Sequence, residues 1–474
     1  MAKVKAWKEG TPGEPSFPSD FEVVKKAVLQ VTDIKTNRNK YYAIELHSAG
    51  AQFRVYTHYG RTDDLETNPN AGMRESRYFV SASQAEATYT KIYRQKTSKA
   101  KGYKEVSLAS SRIGSHKARG QSSGHVDNQT LQRMQGEAGE KKSKPKVKKS
   151  ELPAEIQDFV RYIYEEATNA LTTTVAAKIT ANGIETPLGV LTLGQIEKGQ
   201  AILDEAYGLF EKKRTSRLVD LSGEFYSAIP HRIGRSRKAV ADAVIDTLEE
   251  FSAKQETLQL MRDMLTVNGD DGQVLFDDEV DKKYKVLGCE IDWVSPKSST
   301  FAELKDYVEK SQVKSHRIKV KRIYSVKRGD ENDAFDEKLG NEKMLFHGSR
   351  AKNWVGILSR GILLPKIVVS MGVNRTDAGW LGHGIYFGDA ACTTLYYTRP
   401  GRRKTRMMTV ARVALGKTKQ YKKITYGLNG PPTGYDSCHG VRAKPKEPSQ
   451  FEDDEFCIYR AEQKKMEYLV EFAA

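Results

Sequence analysis

The sequence predicts a multidomain α+β protein with a small β-rich domain, an all-α helical bundle and a mixed α/β domain with antiparallel sheets. Three observations predict this class. Strand-type runs of β-branched and aromatic residues occupy residues 22–103, apolar residues at helical spacing dominate 150–280, and short strand-type runs return after 281. At 474 residues the chain is long enough for about three domains.

Composition excludes membrane proteins as a class. Charged residues make up 29% of the chain, the mean hydropathy is -0.61, and no apolar run reaches about 18 residues. The four cysteines are far apart and form no CxxC pair, which argues against a zinc site and a disulfide framework. We therefore expect no metal and a reducing compartment. The cysteines are Cys289, Cys392, Cys438 and Cys457.

The net charge of +16 is concentrated in the first third of the chain. Residues 1–150 carry 28 Lys and Arg against 15 Asp and Glu, whereas residues 151–474 carry 49 against 46. A basic segment of this kind attracts polyanions. Because aromatic residues are interleaved with the basic ones, nucleic acid is favoured as the partner over a merely soluble basic surface.

A small folded domain is predicted over residues 21–107. The preceding residues 1–20 are rich in Gly, Pro and Ser, and this composition predicts a disordered N-terminus. Within the domain, segments 41–46 and 53–59 have the composition of adjacent strands, and a helix is predicted from Ser83.

The domain resembles a WGR domain in its segments 39–42, 53–59, 60–61 and 101–103. The tryptophan that names the family is Tyr59 in this chain, so the motif is Tyr-Gly-Arg. The resemblance implies binding to DNA ends through Tyr59 and Arg61, with a relay to a catalytic domain. A guanidinium pairs with phosphate and a phenol ring stacks on bases. A core aromatic on a strand is the alternative for Tyr59.

Residues 108–149 predict a basic flexible linker, because they are polar, rich in Gly and Ser, and end in the lysine-rich run 141–149. The run is interpreted as a nuclear targeting signal or as a non-specific DNA tether. The alternative is a solvated linker that carries no targeting signal. We therefore expect a nuclear protein, or a cytoplasmic one if the source is prokaryotic.

Residues 150–280 predict several helices around one core, because apolar residues recur there at helical spacing. Thr192 and Gln195 match a capping box at one helix start. The block resembles the regulatory helical domain of DNA-dependent poly(ADP-ribose) polymerases in segments 187–192 and 221–231. The resemblance implies that the folded block shields an NAD+ site and that DNA binding loosens it.

Residues 281–474 read mostly as strands. Strands are predicted over 317–326, with a β-bulge near Lys321, and over 407–415 and 466–472. This block is expected to form the mixed α/β domain.

Three further short strands each place one polar or aromatic group at a cleft, namely His347, Tyr386 and Glu455. Gly348 follows the first of these groups and lets a ligand approach bare backbone. With their order and spacing, the segments resemble the ADP-ribosyltransferase fold of the poly(ADP-ribose) polymerase family. The resemblance implies that these three residues are catalytic and converge on NAD+ as the co-substrate. The implied NAD+-binding residues are His347, Gly348, Ser349, Asn353, Tyr386, Thr394 and Tyr397.

Within that resemblance, the chemistry of nicotinamide suggests individual roles. The backbone N–H and C=O of Gly348 pair with the carboxamide, the Ser349 hydroxyl adds a hydrogen bond, and Tyr397 stacks on the ring. His347 is expected to donate to the adenosine ribose, and Tyr386 to pack against the nicotinamide ribose.

Glu455 is expected to hold the ribose 2′-hydroxyl and to polarise the acceptor. A carboxylate beside the ribose stabilises the oxocarbenium character that develops when the glycosidic bond breaks. The resemblance to the family selects Glu455, which the strand at 456–459 follows, and the neighbouring Glu452, Asp453 and Asp454 are interpreted as a solvated acidic turn.

Two positions depart from the family pattern. A lysine common in the DNA-dependent members is Thr393 here, while Thr394 keeps the hydroxyl that bonds the carboxamide. An arginine that often lines the adenine side is Leu363. These changes bear on rate and chain elongation more than on NAD+ binding. The loop 366–379 is expected to cover the pocket.

The expected function is an NAD+-dependent protein ADP-ribosyltransferase of the poly(ADP-ribose) polymerase type. It is expected to be activated by DNA breaks through the WGR and helical domains and to act in DNA repair. Acceptor proteins, including the chain itself, are the expected partners besides DNA. The alternatives are a mono-ADP-ribosyltransferase, or a non-catalytic scaffold on DNA ends whose transferase fold is vestigial.

Overall fold

The computed structural model describes residues 4–126, 150–180, 183–211, 217–231, 233, 236, 238–239, 242–266, 280–313, 317–362 and 379–474. Within these residues there are two compact units. The first is formed by residues up to 126 together with 171–265, and the second by 150–170 and Thr266 together with 280–474. No helix in these described ranges is both long and apolar enough to cross a membrane.

A six-stranded antiparallel sheet with a helix packed on one face forms the N-terminal part of the first unit. Ala85 and Tyr89 of the helix face the sheet residues Leu29, Ile44 and Val55, so alternating strand residues and one helical stripe share this core. The strand order is β1-β5-β4-β3-β2-β6. The elements are β1 Trp7–Lys8, β2 Glu22–Asp33, β3 Arg38–Ala49, β4 Gln52–Arg61, α1 Asp64–Thr67, β5 Met73–Phe79, α2 Ala82–Thr97 and β6 Lys104–Glu105.

The prediction of a disordered N-terminus is wrong for residues 4–20. Strand β1 pairs with β5 through Trp7 opposite Ser76, and the ring of Phe17 lies 6.1 Å from that of Tyr78. Two aromatic side chains thus anchor a segment whose Gly and Pro content alone predicted disorder.

The prediction of a flexible linker is also wrong for residues 108–126. Residues 108–111 form strand β7, which pairs with residues 189–191 of the helical block in a four-stranded sheet ordered β7-β10-β9-β8. Ile113 and Ala118 are fully buried. The strands are β7 Leu108–Ser111, β8 Lys178–Thr180, β9 Gly183–Glu185 and β10 Gly189–Leu191. The lysine-rich run 141–149 lies outside the described residues, and the other domain limits stay predictions.

The helices of the regulatory block are α3 Ala154–Thr174, α4 Leu193–Glu211, α5 Leu218–Ala228 and α6 Leu248–Thr266. Helix α4 begins as the capping box predicts, since the backbone N–H of Gln195 donates to Thr192 Oγ1 at 3.0 Å. The Gln195 side chain instead accepts from the backbone N–H of Ser107 at 3.0 Å. Only half of the capping box therefore forms.

Residues 154–170 of α3 belong to the second unit, where they pack on the catalytic sheet. The rings of Phe159 and Tyr324 lie 4.5 Å apart, and Arg403 is 2.7 Å from the carboxylate of Asp158. The predicted regulatory block thus contributes residues to both units.

A nine-stranded sheet forms the centre of the second unit, in the order β11-β12-β19-β15-β13-β14-β18-β17-β16. Neighbouring strands are antiparallel except β16 and β17. The predicted bulge is present, because the β12–β19 register shifts between Val320 and Arg322. The elements are α7 Val280–Val286, β11 Glu290–Trp293, α8 Ser299–Lys310, β12 Lys319–Lys327, α9 Gly329–Ala334, β13 Glu342–Ser349, α10 Trp354–Arg360, β14 Ile385–Gly388, β15 Arg406–Ala414, β16 Thr418–Tyr421, β17 Ser437–Gly440, β18 Glu455–Ile458 and β19 Lys464–Ala473.

The predicted fold class is confirmed, with a strand-rich N-terminal region, a helical block and a C-terminal domain dominated by antiparallel strands.

Candidate active site

Three neighbouring strands, β13, β14 and β18, bring the predicted residues together. His347, Tyr386 and Glu455 all line one open cleft of about 380 Å³. Most of the lining is apolar ring or bare backbone, with a few polar groups that converge from separate strands, which is typical of a small-molecule site. The lining residues are Phe346, His347, Gly348, Tyr386, Phe387, Gly388, Thr393, Thr394, Tyr397 and Glu455.

The His347 imidazole is fixed by the neighbouring strand. Its Nδ1 lies 2.9 Å from the backbone carbonyl oxygen of Tyr386. A carbonyl only accepts, so Nδ1 carries the hydrogen. Burial lowers the pKa of His347, which favours the neutral ring. In this tautomer Nε2 accepts a hydrogen bond, so a ribose hydroxyl would donate to His347, opposite to the predicted direction.

The Tyr386 phenol is held by the backbone just before its own strand. Its oxygen accepts from the N–H of Leu381 at 3.0 Å and donates to the carbonyl of Gly382 at 2.7 Å. Burial raises its pKa, so the phenol stays protonated. Its ring packs against Gly379, where an added Cβ would lie 1.8 Å from Cζ. Tyr386 is therefore a rigid wall of the cleft.

Gly348 is required by packing as well as by ligand approach. A Cβ at this position would lie 2.7 Å from Thr394 Cβ and 3.0 Å from Thr398 Cγ2. The short 3-10 helix Ala391–Tyr396 therefore lies directly against bare backbone. Within that helix the Thr394 hydroxyl donates to the carbonyl of Ala391 at 2.7 Å, so its hydrogen is committed to the protein.

The remaining predicted binding residues surround this backbone. Asn353 Nδ2 donates to Ser349 Oγ at 3.1 Å, which orients the Ser349 hydroxyl at the end of β13. The Tyr397 side chain lines the cleft and is 54% exposed, so its ring is accessible to a stacking partner.

Glu455 lies in an environment that opposes its charge. Burial first, and then the negative charge of Asp453, raise the pKa of Glu455 to about 7. Carboxyl groups with a raised pKa inside a cleft are typical of acid–base and electrostatic roles in catalysis. No cluster of three or more metal-ligating side chains occurs among the described residues.

Family models match the chain in the predicted domain order. Residues 298–450 match the poly(ADP-ribose) polymerase catalytic domain, 150–284 its regulatory domain, and 25–109 the WGR domain. The chain belongs to the poly(ADP-ribose) polymerase family. Members of this family use NAD+ as a substrate.

Individual relatives in this family differ in how much of the chain they share. The protein mono-ADP-ribosyltransferase PARP4 of Mus musculus is 33% identical over 330 residues, which is 68% of this chain and 16% of PARP4. The poly [ADP-ribose] polymerase 2-A of Oryza sativa subsp. japonica is 25% identical over 94% of this chain and 69% of its own length. The protein mono-ADP-ribosyltransferase PARP3 of Mus musculus is 24% identical over 94% and 87%. The chain thus spans about a sixth of PARP4.

Thr393, where many family members have a lysine, makes a contact that the sequence did not reveal. Its hydroxyl donates to Asp453 Oδ2 at 2.7 Å, and Asp453 is only 5% exposed. The predicted solvated acidic turn is therefore wrong for Asp453, and Asp454 is also paired, with His439 and Arg442. No local pattern signalled this contact, because Asp453 lies in a bend before β18 and its partner Thr393 is 60 residues away in the chain.

Leu363 and all of the predicted covering loop 366–379 except Gly379 lie outside the described residues. The structure thus assembles His347, Gly348, Tyr386, Thr394, Tyr397 and Glu455 around one cleft, with Ser349 and Asn353 at the end of β13. Their roles towards NAD+ stay predictions.

The two predicted DNA-binding residues lie on β4 of the first unit. The Tyr59 ring stacks on Tyr42 at 5.3 Å, and its hydroxyl donates to Glu75 at 2.8 Å. Arg61 lies 3.0 Å from the carboxylate of Asp63. Tyr59 thus has the contacts of a partly buried strand aromatic, and the binding role of both residues stays a prediction.

Proposed function

We propose that this chain is an NAD+-dependent protein ADP-ribosyltransferase. One observation carries the proposal: His347, Tyr386 and Glu455 converge from three adjacent strands on a cleft whose wall at Gly348 is bare backbone. Peptide N–H and C=O groups at such a wall match the donor and acceptor of a carboxamide.

The proposed reaction requires little chemistry from the protein beyond positioning and charge. The bond between the ribose anomeric carbon and the nicotinamide nitrogen breaks, and its electron pair leaves with neutral nicotinamide. The acceptor then bonds to the anomeric carbon and loses a proton. The Glu455 carboxylate stabilises the positive charge that develops on the ribose.

Release of nicotinamide from NAD+ tests this proposal. Wild-type protein is expected to release it, and Glu455→Gln to reduce the rate by about 10²–10³-fold, as is typical for the loss of one electrostatic stabiliser. Binding of a non-hydrolysable NAD+ analogue should persist in the variant, because Gln keeps the size of the side chain. A wild-type protein that binds NAD+ analogues but releases no nicotinamide, either with or without nicked DNA, would refute the proposal and favour the non-catalytic scaffold.

One observation favours transfer of a single ADP-ribose unit over polymer growth. Elongation requires an anionic ADP-ribose chain to enter the cleft beside Glu455, and the carboxylate of Asp453 is near enough to raise the pKa of Glu455. Among the described lining residues of the cleft none is a Lys or Arg. Like charges disfavour such an acceptor. On a denaturing gel we expect a discrete mobility shift, and a smear of long products would instead establish a polymerase.

We further propose that DNA breaks stimulate the reaction and that the protein acts in the nucleus during DNA repair. The WGR match and the excess of basic residues in the first 150 positions support this role. Nicotinamide release should increase when nicked DNA is added, while an equal concentration of intact circular DNA serves as the control. Equal rates with both DNAs would argue against break sensing.

A further inference from the structure

The start of strand β18 is the point where three strands of the catalytic sheet meet. Glu455, its first residue, lies opposite Gly388 of β14 on one side and Gly440 of β17 on the other. Directly opposed side chains normally support one another across a sheet. Since both of these neighbours are glycines, the direction of the Glu455 side chain depends on how its own backbone is held.

The residue before Glu455 is held by contacts from both neighbouring strands. Arg442 follows β17, and its Nε lies 2.7 Å from Asp454 Oδ2. The same guanidinium pairs through Nη2 with Asp389, the residue directly after β14. The backbone N–H of Arg442 also donates to Asp454 Oδ1 at 3.2 Å, and His439 Nε2 lies 2.6 Å from that oxygen.

These groups are shielded enough for the charges to matter. The side chains of Arg442 and Asp454 are 16% and 19% exposed. Burial alone would raise the pKa of Asp454, but hydrogen bonds from His439 and from the Arg442 backbone outweigh it and lower the pKa to about 2. Asp454 is therefore an anion at neutral pH, and charge-assisted bonds of this kind are stronger than neutral ones.

We propose that Arg442 is a positioning residue that fixes the direction of Glu455 by holding Asp454 and Asp389 together. The inference rests on the proposed role of Glu455. Arg442 has no place in the lining of the cleft, so it acts on the reaction through the backbone of residues 454–455.

Steady-state kinetics with NAD+ separate this role from a binding role. In Arg442→Ala, kcat should fall about 10- to 100-fold, because a displacement of the order of an ångström has effects of this size. The KM for NAD+ should stay within about twofold, since the residues that line the binding cleft are unchanged. Arg442→Lys keeps the charge but loses the fork that reaches two carboxylates, so it should recover only part of kcat.

Arg412 offers a matched control in the same sheet. It lies on β15 and pairs with Glu467 of β19 and Glu342 of β13, so it also joins three strands. Arg412→Ala should keep the wild-type kcat. A kcat in Arg412→Ala that falls as far as in Arg442→Ala would show a general effect of loosening the sheet and would overturn the inference.

The outcomes also distinguish this inference from the proposed function. A wild-type protein that releases no nicotinamide even with nicked DNA refutes the proposed function itself. An active wild type with unchanged kcat in Arg442→Ala, or with a raised KM that accounts for the whole loss, refutes only the positioning role. If Arg442→Ala fails to fold, Arg442→Lys provides the test. When this variant has the same melting temperature as the wild type, its kcat should be lower. An unchanged kcat would refute the inference.

Discussion

Glu455 shows how burial prepares a single side chain for chemistry. Its side chain lines a cleft with several ring side chains and two glycines, its carboxyl is largely buried, and the nearby charge that affects it, on Asp453, is also negative. Both influences favour the neutral form, so the group titrates near pH 7 instead of near its ordinary value. The proposed reaction needs the ionised form, because only a carboxylate stabilises a developing cation.

The rate of nicotinamide release should therefore rise with pH, with a midpoint near the Glu455 pKa of about 7. Thr393→Lys places a cation beside Asp453 and Glu455, which should move the midpoint down by roughly 1 pH unit. Thr393→Ser keeps the hydroxyl and is the control. A kcat/KM profile that is flat across the neutral range would contradict the role of Glu455, and equal midpoints in the Lys and Ser variants would contradict the charge argument.

Helix α5 contains a sequence motif whose residues pack against a strand that is distant in the chain. Its Gly223 lies against β2, where an added Cβ would be 2.6 Å from the carbonyl oxygen of Thr32. Four residues on, Ser227 Oγ accepts from the backbone N–H of Thr32 at 2.7 Å. The segment Leu-Ser-Gly-Glu-Phe-Tyr-Ser, 221–227, thus presents a glycine and a hydroxyl to one edge of the N-terminal sheet.

Gly223→Ala should destabilise the first unit by about 1–3 kcal/mol, because the new methyl group meets backbone that has little room to move. Gly194→Ala is the matched control, since Gly194 is also helical but exposed, with one atom 3.9 Å from an added Cβ. At that position the higher helix propensity of Ala should increase the free energy of unfolding by up to about 1 kcal/mol. Urea unfolding monitored by circular dichroism measures both, and equal effects of the two substitutions would refute the packing argument.

Local patterns predicted much of the fold but few of its contacts. The β12 bulge, the start of α4 at Thr192 and the three strands that carry the cleft residues follow from periodicity and turn chemistry near in sequence. The pairing of β7 with β10 and the burial of Asp453 depend on partners about 60 to 80 residues away. Composition led to a wrong prediction for both features, because polar and Gly-rich residues were interpreted as solvent-exposed.

The net positive charge of the molecule is unevenly distributed along the chain. Positive charge is in excess in residues 1–150, whereas the other 324 residues are nearly balanced and carry the proposed catalytic cleft. A basic region attracts DNA from a distance without specifying where it binds. Break recognition would then depend on a few oriented groups on the N-terminal sheet, of which Arg61 is the candidate.

The salt dependence of DNA binding tests this division. Affinity for a nicked duplex should fall at least about tenfold between roughly 50 and 200 mM salt, because phosphate contacts release counterions. Arg61→Ala should weaken binding and reduce the slope of log Kd against log salt by about 1, the effect of one lost phosphate contact. Arg38→Ala is the control, because Arg38 pairs with Asp33 as Arg61 pairs with Asp63. The side chains of Arg38 and Arg61 are 32% and 31% exposed, respectively. Identical slopes for the wild type and Arg61→Ala would show that the Arg61–Asp63 pair stabilises the strand and does not contact DNA.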